Sequence, residues 1–133
     1  VIIQTYYSEQ PIIQSLQKRD RSSFINQALA EREQFKIPPF GYMTAVIISG
    51  SSKANVEKSA QQLVYSRKNS DEVAVLGPVE APINLLKGQY RYRILLKGNS
   101  RKKLNIFTKK MINSNKIPST VRVVIDVDPY TFM

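Results

Sequence analysis

The sequence has no cysteine, no histidine and no tryptophan. No disulfide can form, and a cysteine or histidine metal site is excluded. Nucleophilic triads that need an imidazole base are excluded too. Chemistry, if any, would rest on carboxylates, Lys, Arg, Tyr or Ser alone. No apolar run approaches the roughly 20 residues of a membrane-spanning helix. The opening VIIQTYYSEQ lacks a basic n-region and a small-residue cleavage site, so it does not read as a signal peptide. It starts in mid-strand without Met, which reads as a piece of a longer chain. Acidic residues are scarce in one place above all: none occurs from Ala81 to Ile125.

That stretch holds eleven basic residues, from Lys87 to Arg122. Of the net charge of +10, residues 1–40 supply little, with five basic and four acidic side chains. The remaining residues carry fifteen basic and six acidic, which marks them as the polyanion binder. At 133 residues the chain is long enough for one domain with a single core plus an appendage.

Within the basic part, Tyr90-Arg91-Tyr92-Arg93-Ile94-Leu95-Leu96-Lys97 alternates as a strand does. Tyr90, Tyr92, Ile94 and Leu96 share one face, which reads as core. Arg91, Arg93, Leu95 and Lys97 share the other and offer three cations.

Before it, Val1–Tyr6 reads as a buried strand. Pro11 suits a first helical position, so Pro11–Lys18 is a short helix. Asp20 is placed to cap a second helix, with a stripe of Phe24, Ile25, Ala28, Leu29 and Phe35. Pro38-Pro39 must stop it, and the domain boundary is placed between Phe40 and Gly41. Tyr42–Ser49 is a strand, capped over by Ser51 or Ser52 into a helix from Lys53 to Lys68. Val73–Leu76 is a short strand that Gly77-Pro78 should end, followed by a proline-rich turn. Ser100 should cap a helix from Arg101 to Asn113, and Val121–Val127 is the last strand.

From Tyr42 the order is strand, helix, strand, strand, helix, strand. This predicts an α+β, ferredoxin-like split βαβ domain (βαββαβ) with an antiparallel sheet and both helices on one face. The other face is then open, or covered by another domain.

Three motifs, Pro38-Pro39-Phe40-Gly41, LGPVEAP…YRYRILLK and Asp126-Val127-Asp128-Pro129, resemble the primosomal protein N′ (PriA) family of replication-restart DNA helicases. The VIIQTY opening and LAERE at Leu29–Glu33 are similar to the end of that family's helicase core, and residues 41–133 to its C-terminal domain. The resemblance implies a cytoplasmic, ATP-dependent helicase that recognises stalled forks and reloads the replicative helicase. Its Walker motifs, its fork-reading N-terminal domain and its cysteine-rich zinc region are not in this sequence. ATP, Mg and Zn would belong to the parent, and this chain is expected to be a binding domain with no catalytic residues and no cofactor. Expected partners are forked or single-stranded DNA, the acidic tail of single-stranded-DNA-binding protein and other primosome proteins, with no membrane.

Lys87, Arg91, Arg93 and Lys97 are the candidate DNA contacts, through phosphates. The bland alternative is a face packed on a helicase lobe through arginine stems. Tyr90 and Tyr92 read as core. Three cations, Arg101, Lys102 and Lys103, crowd the first turn of a helix whose N-terminus is already positive, a cost that a bound anion would offset. Arg101, Lys102 and Asn105 are therefore candidates for an acidic peptide ending in a carboxylate, as the family resemblance implies. Asp126 and Asp128 could hold a divalent cation, but pairing with Lys or Arg is the simpler reading. Two other functions fit less well. An acylphosphatase-like hydrolase needs a catalytic Arg in the loop Gly50-Ser51-Ser52-Lys53, which has none and is too short for a P-loop. A ribosomal-protein-like RNA binder suits the charge equally but leaves residues 1–40 unexplained.

Overall fold

The strand β1, Tyr42–Gly50, is apolar and β-branched enough to run through the middle of a sheet. Its alternation sends Thr44, Val46 and Ile48 to one side, where all three are fully buried. In this computed structural model, which describes residues 2–66 and 72–129, β1 lies between β3 (Gln89–Gly98) and β4 (Val121–Val127). β2, Val73–Leu86, flanks β3, so the order is β2-β3-β1-β4 with every pairing antiparallel. Helices α3 (Lys53–Ser66) and α4 (Arg101–Asn113), numbered after the two helices near the start of the chain, both cover the Val46–Ile48 face. The expected ferredoxin-like arrangement holds.

The core forms where Val46 and Ile48 meet Ile94 and Leu96 across the sheet and Leu63, Leu104 and Met111 from the helices. Each such side chain contributes about 1.5–3 kcal/mol when fully buried. Ser52 opens α3: its hydroxyl accepts from the Asn55 N–H at 3.4 Å. The far end of the expected helix, at Lys68, lies outside the described residues. Thr108 stays buried inside α4 by donating to the Leu104 carbonyl at 2.8 Å.

Two expectations in this part need correction. β2 does not end at Leu76. Gly77 adopts φ +103°, the chain bulges between Leu76 and Val79, and pairing with β3 resumes, with a second register shift between Glu80 and Leu85, to end at Leu86. The two prolines thus sit in a bulged edge strand, the one sheet position that tolerates them. Lys87 and Gly88, both at positive φ, close the hairpin as the two-residue turn a twisted β-ribbon favours. The second correction concerns Ser100. It occupies the cap position and its carbonyl accepts from the Leu104 N–H at 2.9 Å, but its hydroxyl makes no capping bond.

The chain divides into two compact units, Val1–Lys36 and Ile37–Met133, four residues before the boundary placed from sequence. In the first, α1 (Pro11–Lys18) begins at its proline as expected, and α2 (Arg21–Gln34) is capped by Asp20, whose carboxylate accepts from the Ser23 N–H at 3.0 Å. Ile2–Tyr6 form no strand: they are exposed, and pair with no other strand. The α2 stripe is not buried either. Among the described residues of this unit α2 packs on α1, and Ile25, Leu29 and Phe35 stay 40%, 38% and 59% exposed.

Candidate nucleic-acid and peptide interfaces

Pairing register fixes what the helix-free face of the sheet presents. Directly paired residues share a face. One row therefore reads Arg91–Ser49–Arg122, the next Val79–Arg93–Ile47–Val124, the next Leu76–Leu95–Ala45–Asp126, and the last Ala74–Lys97–Met43. Arg91, Arg93 and Lys97 are half-buried. Tyr92 is buried on the opposite side and Tyr90 packs against the core, as their alternation implied. Lys87 stands at the hairpin tip, about 13 Å along the strand from Arg91.

Between these rows lies a groove of about 310 Å³, lined by Ile47, Leu76, Val79 and Leu95 with Arg93 and Asp126. Leu76 and Val79 are 50% and 59% exposed, so its edge is open and aliphatic. The Arg93 Nε is buried there and has no hydrogen-bond partner among the described residues. A buried donor left without an acceptor costs about 1–3 kcal/mol, so the groove holds an unmet demand for an acceptor.

On the helix-covered side the Tyr92 hydroxyl donates to Glu80 Oε1 at 2.9 Å, and Lys53 Nζ pairs with the same oxygen at 2.8 Å. Burial, reinforced by this hydrogen bond, pushes the Tyr92 phenol above its ordinary value. The hydrogen bond to Glu80 and its negative charge raise the Lys53 ammonium. Lys53 is thereby paired within the fold.

The second site surrounds the start of α4. Arg101, Lys102 and Asn105 line one shallow groove with Ile106 and Lys109. Two of the three cations crowded there have partners within the chain. Arg101 pairs with Asp128 at 2.5 Å and stacks over the Tyr42 ring at 5.2 Å, and Lys103 pairs with Glu72. Lys102 has no ion-pair partner among the described residues. Asp128 itself follows β4 at φ +48°, accepts from the Met43 N–H at 3.2 Å and donates its own N–H to the Met43 carbonyl at 2.8 Å. Asp128 thus pairs with an arginine, while Asp126, the other candidate for such pairing, has no ion-pair partner among the described residues. No cluster of three or more acidic side chains suited to a metal occurs among the described residues, and none of their helices is long and apolar enough to cross a membrane.

Residues 33–130, which include every candidate residue above, match the family described as the primosomal protein N C-terminal domain. The chain belongs to this family. Replication restart protein PriA of Rickettsia conorii is 35% identical over 99% of the chain, that of Synechocystis 33% over 97%, and that of Bacillus subtilis 29% over its whole length. The chain spans about a fifth of these relatives, at 20%, 16% and 17% of their lengths. A solved DNA-binding domain, the C-terminal one of the MHV-68 latency-associated nuclear antigen, aligns over 74% of this chain and 89% of its own with a TM-score of 0.38 and 18% identity. That match is too distant to speak to fold or function.

Two features of this primosomal C-terminal domain escaped the sequence reading. One is Arg122, whose place beside Arg91 depends on which strands neighbour β1. The other is the hairpin, whose Lys-Gly pair between two apolar runs was a usable turn signal.

Proposed function

We propose that this chain is the C-terminal DNA- and partner-binding domain of a cytoplasmic replication-restart helicase. On this reading the sheet face of Arg91, Arg93 and Lys97, extended by Lys87 at the hairpin tip, meets the phosphates of forked or single-stranded DNA. The groove of Arg101, Lys102 and Asn105 takes the acidic tail of single-stranded-DNA-binding protein, with Ile106 supplying apolar contact beside the charges. ATP hydrolysis, and the zinc-bearing region, belong to other parts of the parent protein, and this domain is not itself an enzyme.

The observation that carries the DNA assignment is charge placement. An acid-free stretch of the sequence places Arg91, Arg93, Lys97 and Arg122 on the sheet face opposite α3 and α4, in three of its four rows, with Asp126 in the remaining one. Membership of the primosomal family supports a role at restarting forks. The test is to assay the chain for ATP hydrolysis and for binding to forked DNA, single-stranded DNA and RNA hairpins. Salt-sensitive DNA binding without ATPase activity is expected. ATPase activity stimulated by DNA, or a clear preference for RNA, would refute the reading.

A further inference from the structure

The row Arg91–Ser49–Arg122 places two guanidinium groups on either side of a hydroxyl. Arg91 on β3 and Arg122 on β4 each pair with Ser49 on the strand between them. Their backbones are therefore about 10 Å apart, well within the combined reach of two arginine side chains. None of the three side chains has a partner among the described residues. Arg122 is exposed, and Arg91 and Ser49 are half-buried. Ser49 is the single hydroxyl in the face of β1 that otherwise carries Met43, Ala45 and Ile47. Two like charges facing across one strand repel, and Arg93 in the next row adds a third. An oxyanion over the serine would relieve that repulsion and accept from both forks and the hydroxyl.

We propose that Arg91, Ser49 and Arg122 form a phosphodiester-binding site that anchors a DNA strand at this end of the sheet. The proposal rests on the DNA reading of the same face and adds to it two residues and a fixed point of contact. Arg122 reaches across β1 towards the position Arg91 also addresses, so one phosphate is held from two strands rather than by a single line of cations along β3.

The test measures the affinity of a labelled single-stranded oligonucleotide across a salt series. Arg122→Gln should bind about fivefold to tenfold more weakly, and the slope of log affinity against log salt should flatten by about 0.7, the loss of one phosphate contact. Arg91→Gln should do the same, and Arg91→Gln with Arg122→Gln should lose less than the product of the two, because both address one phosphate. Ser49→Ala should weaken binding about twofold to threefold with the slope unchanged. Lys58→Gln on α3 removes the same charge elsewhere and should leave binding within about twofold. If Arg122→Gln binds as the parent does while Arg91, Arg93 and Lys97 substitutions weaken binding, the site falls and the DNA face stands. If none of the four matters, both fall. Equal losses in Lys58→Gln and Arg122→Gln would mean net charge alone, and would overturn the site.

Discussion

Asp128 joins the fold to the groove of Arg101, Lys102 and Asn105, and replacing it separates three effects. Its carboxylate accepts from the Met43 N–H, its other oxygen holds Arg101, and its backbone lies at φ +48°. The bond to a half-buried N–H from a charged acceptor is worth about 1 kcal/mol here, below the usual range because Asp128 is partly solvated. The pair with the exposed Arg101 adds about 0.2–1 kcal/mol. A left-handed backbone costs most residues about 1–2 kcal/mol, less for Asp or Asn. Asp128→Ala loses all three and should destabilise the domain by about 2–3 kcal/mol in urea unfolding. Asp128→Asn keeps the acceptor and the tolerated backbone, and should lose only about 0.5 kcal/mol. Asp128→Gly should fall between them. The same Asn variant frees Arg101 from its competing carboxylate, so it should bind an acidic peptide more tightly than the parent protein. If the Ala and Asn variants lose the same stability, the backbone bond and the strain contribute nothing and the reasoning is wrong.

Other outcomes follow from neighbouring contacts. Tyr92→Phe should cost about 1 kcal/mol of stability by removing the hydrogen bond to the half-exposed Glu80. Tyr92 and Lys53 both have raised folded-state pKa values, so their contribution is intact below their unfolded values and is lost as pH climbs through the folded ones. Stability should therefore fall above about pH 10, and less so in Tyr92→Phe, which unfolding curves at pH 8 and 11 would check. Gly77→Ala should destabilise by about 1–3 kcal/mol, because a Cβ at φ +103° would meet the Arg93 carbonyl oxygen at 2.9 Å; an unchanged midpoint would contradict this. Arg101→Ala should weaken an acidic tail peptide by about 1–2 kcal/mol, and amidating the peptide terminus should cost less in that variant than in the parent protein. Equal losses on amidation would show that Arg101 does not read the terminal carboxylate.

The four strands and both long helices of the second unit were legible because each has a pattern of its own. β3 alternates, α3 and α4 carry apolar stripes, and glycine or serine stands at their ends. That both helices share one face followed from the handedness of crossovers. What stayed hidden depends on pairing or on distant charges. Gly77-Pro78 looks like a strand end, and only the bulge lets β2 continue past it. Ile2–Tyr6 have the composition of a strand but pair with none among the described residues. The first turn of α4 looked starved of anions because Glu72 and Asp128, which meet Lys103 and Arg101, lie far away in sequence. Ser100 has the right identity and backbone for a cap, yet its hydroxyl makes no capping bond. At the candidate sites, residue types on β3 could be read directly, while the contribution of β4 could not.

The claim on which the rest depends is that the uncovered sheet face meets DNA phosphates. Changing Arg91, Arg93 and Lys97 together to Ala and measuring forked-oligonucleotide affinity from low to physiological salt tests it most directly. The loss of three phosphate contacts should flatten the slope of log affinity against log salt by about 2–3, with most affinity lost at low salt and the fold intact by circular dichroism. Unchanged affinity and slope in a folded variant would contradict the claim, and would leave this face to pack against protein instead.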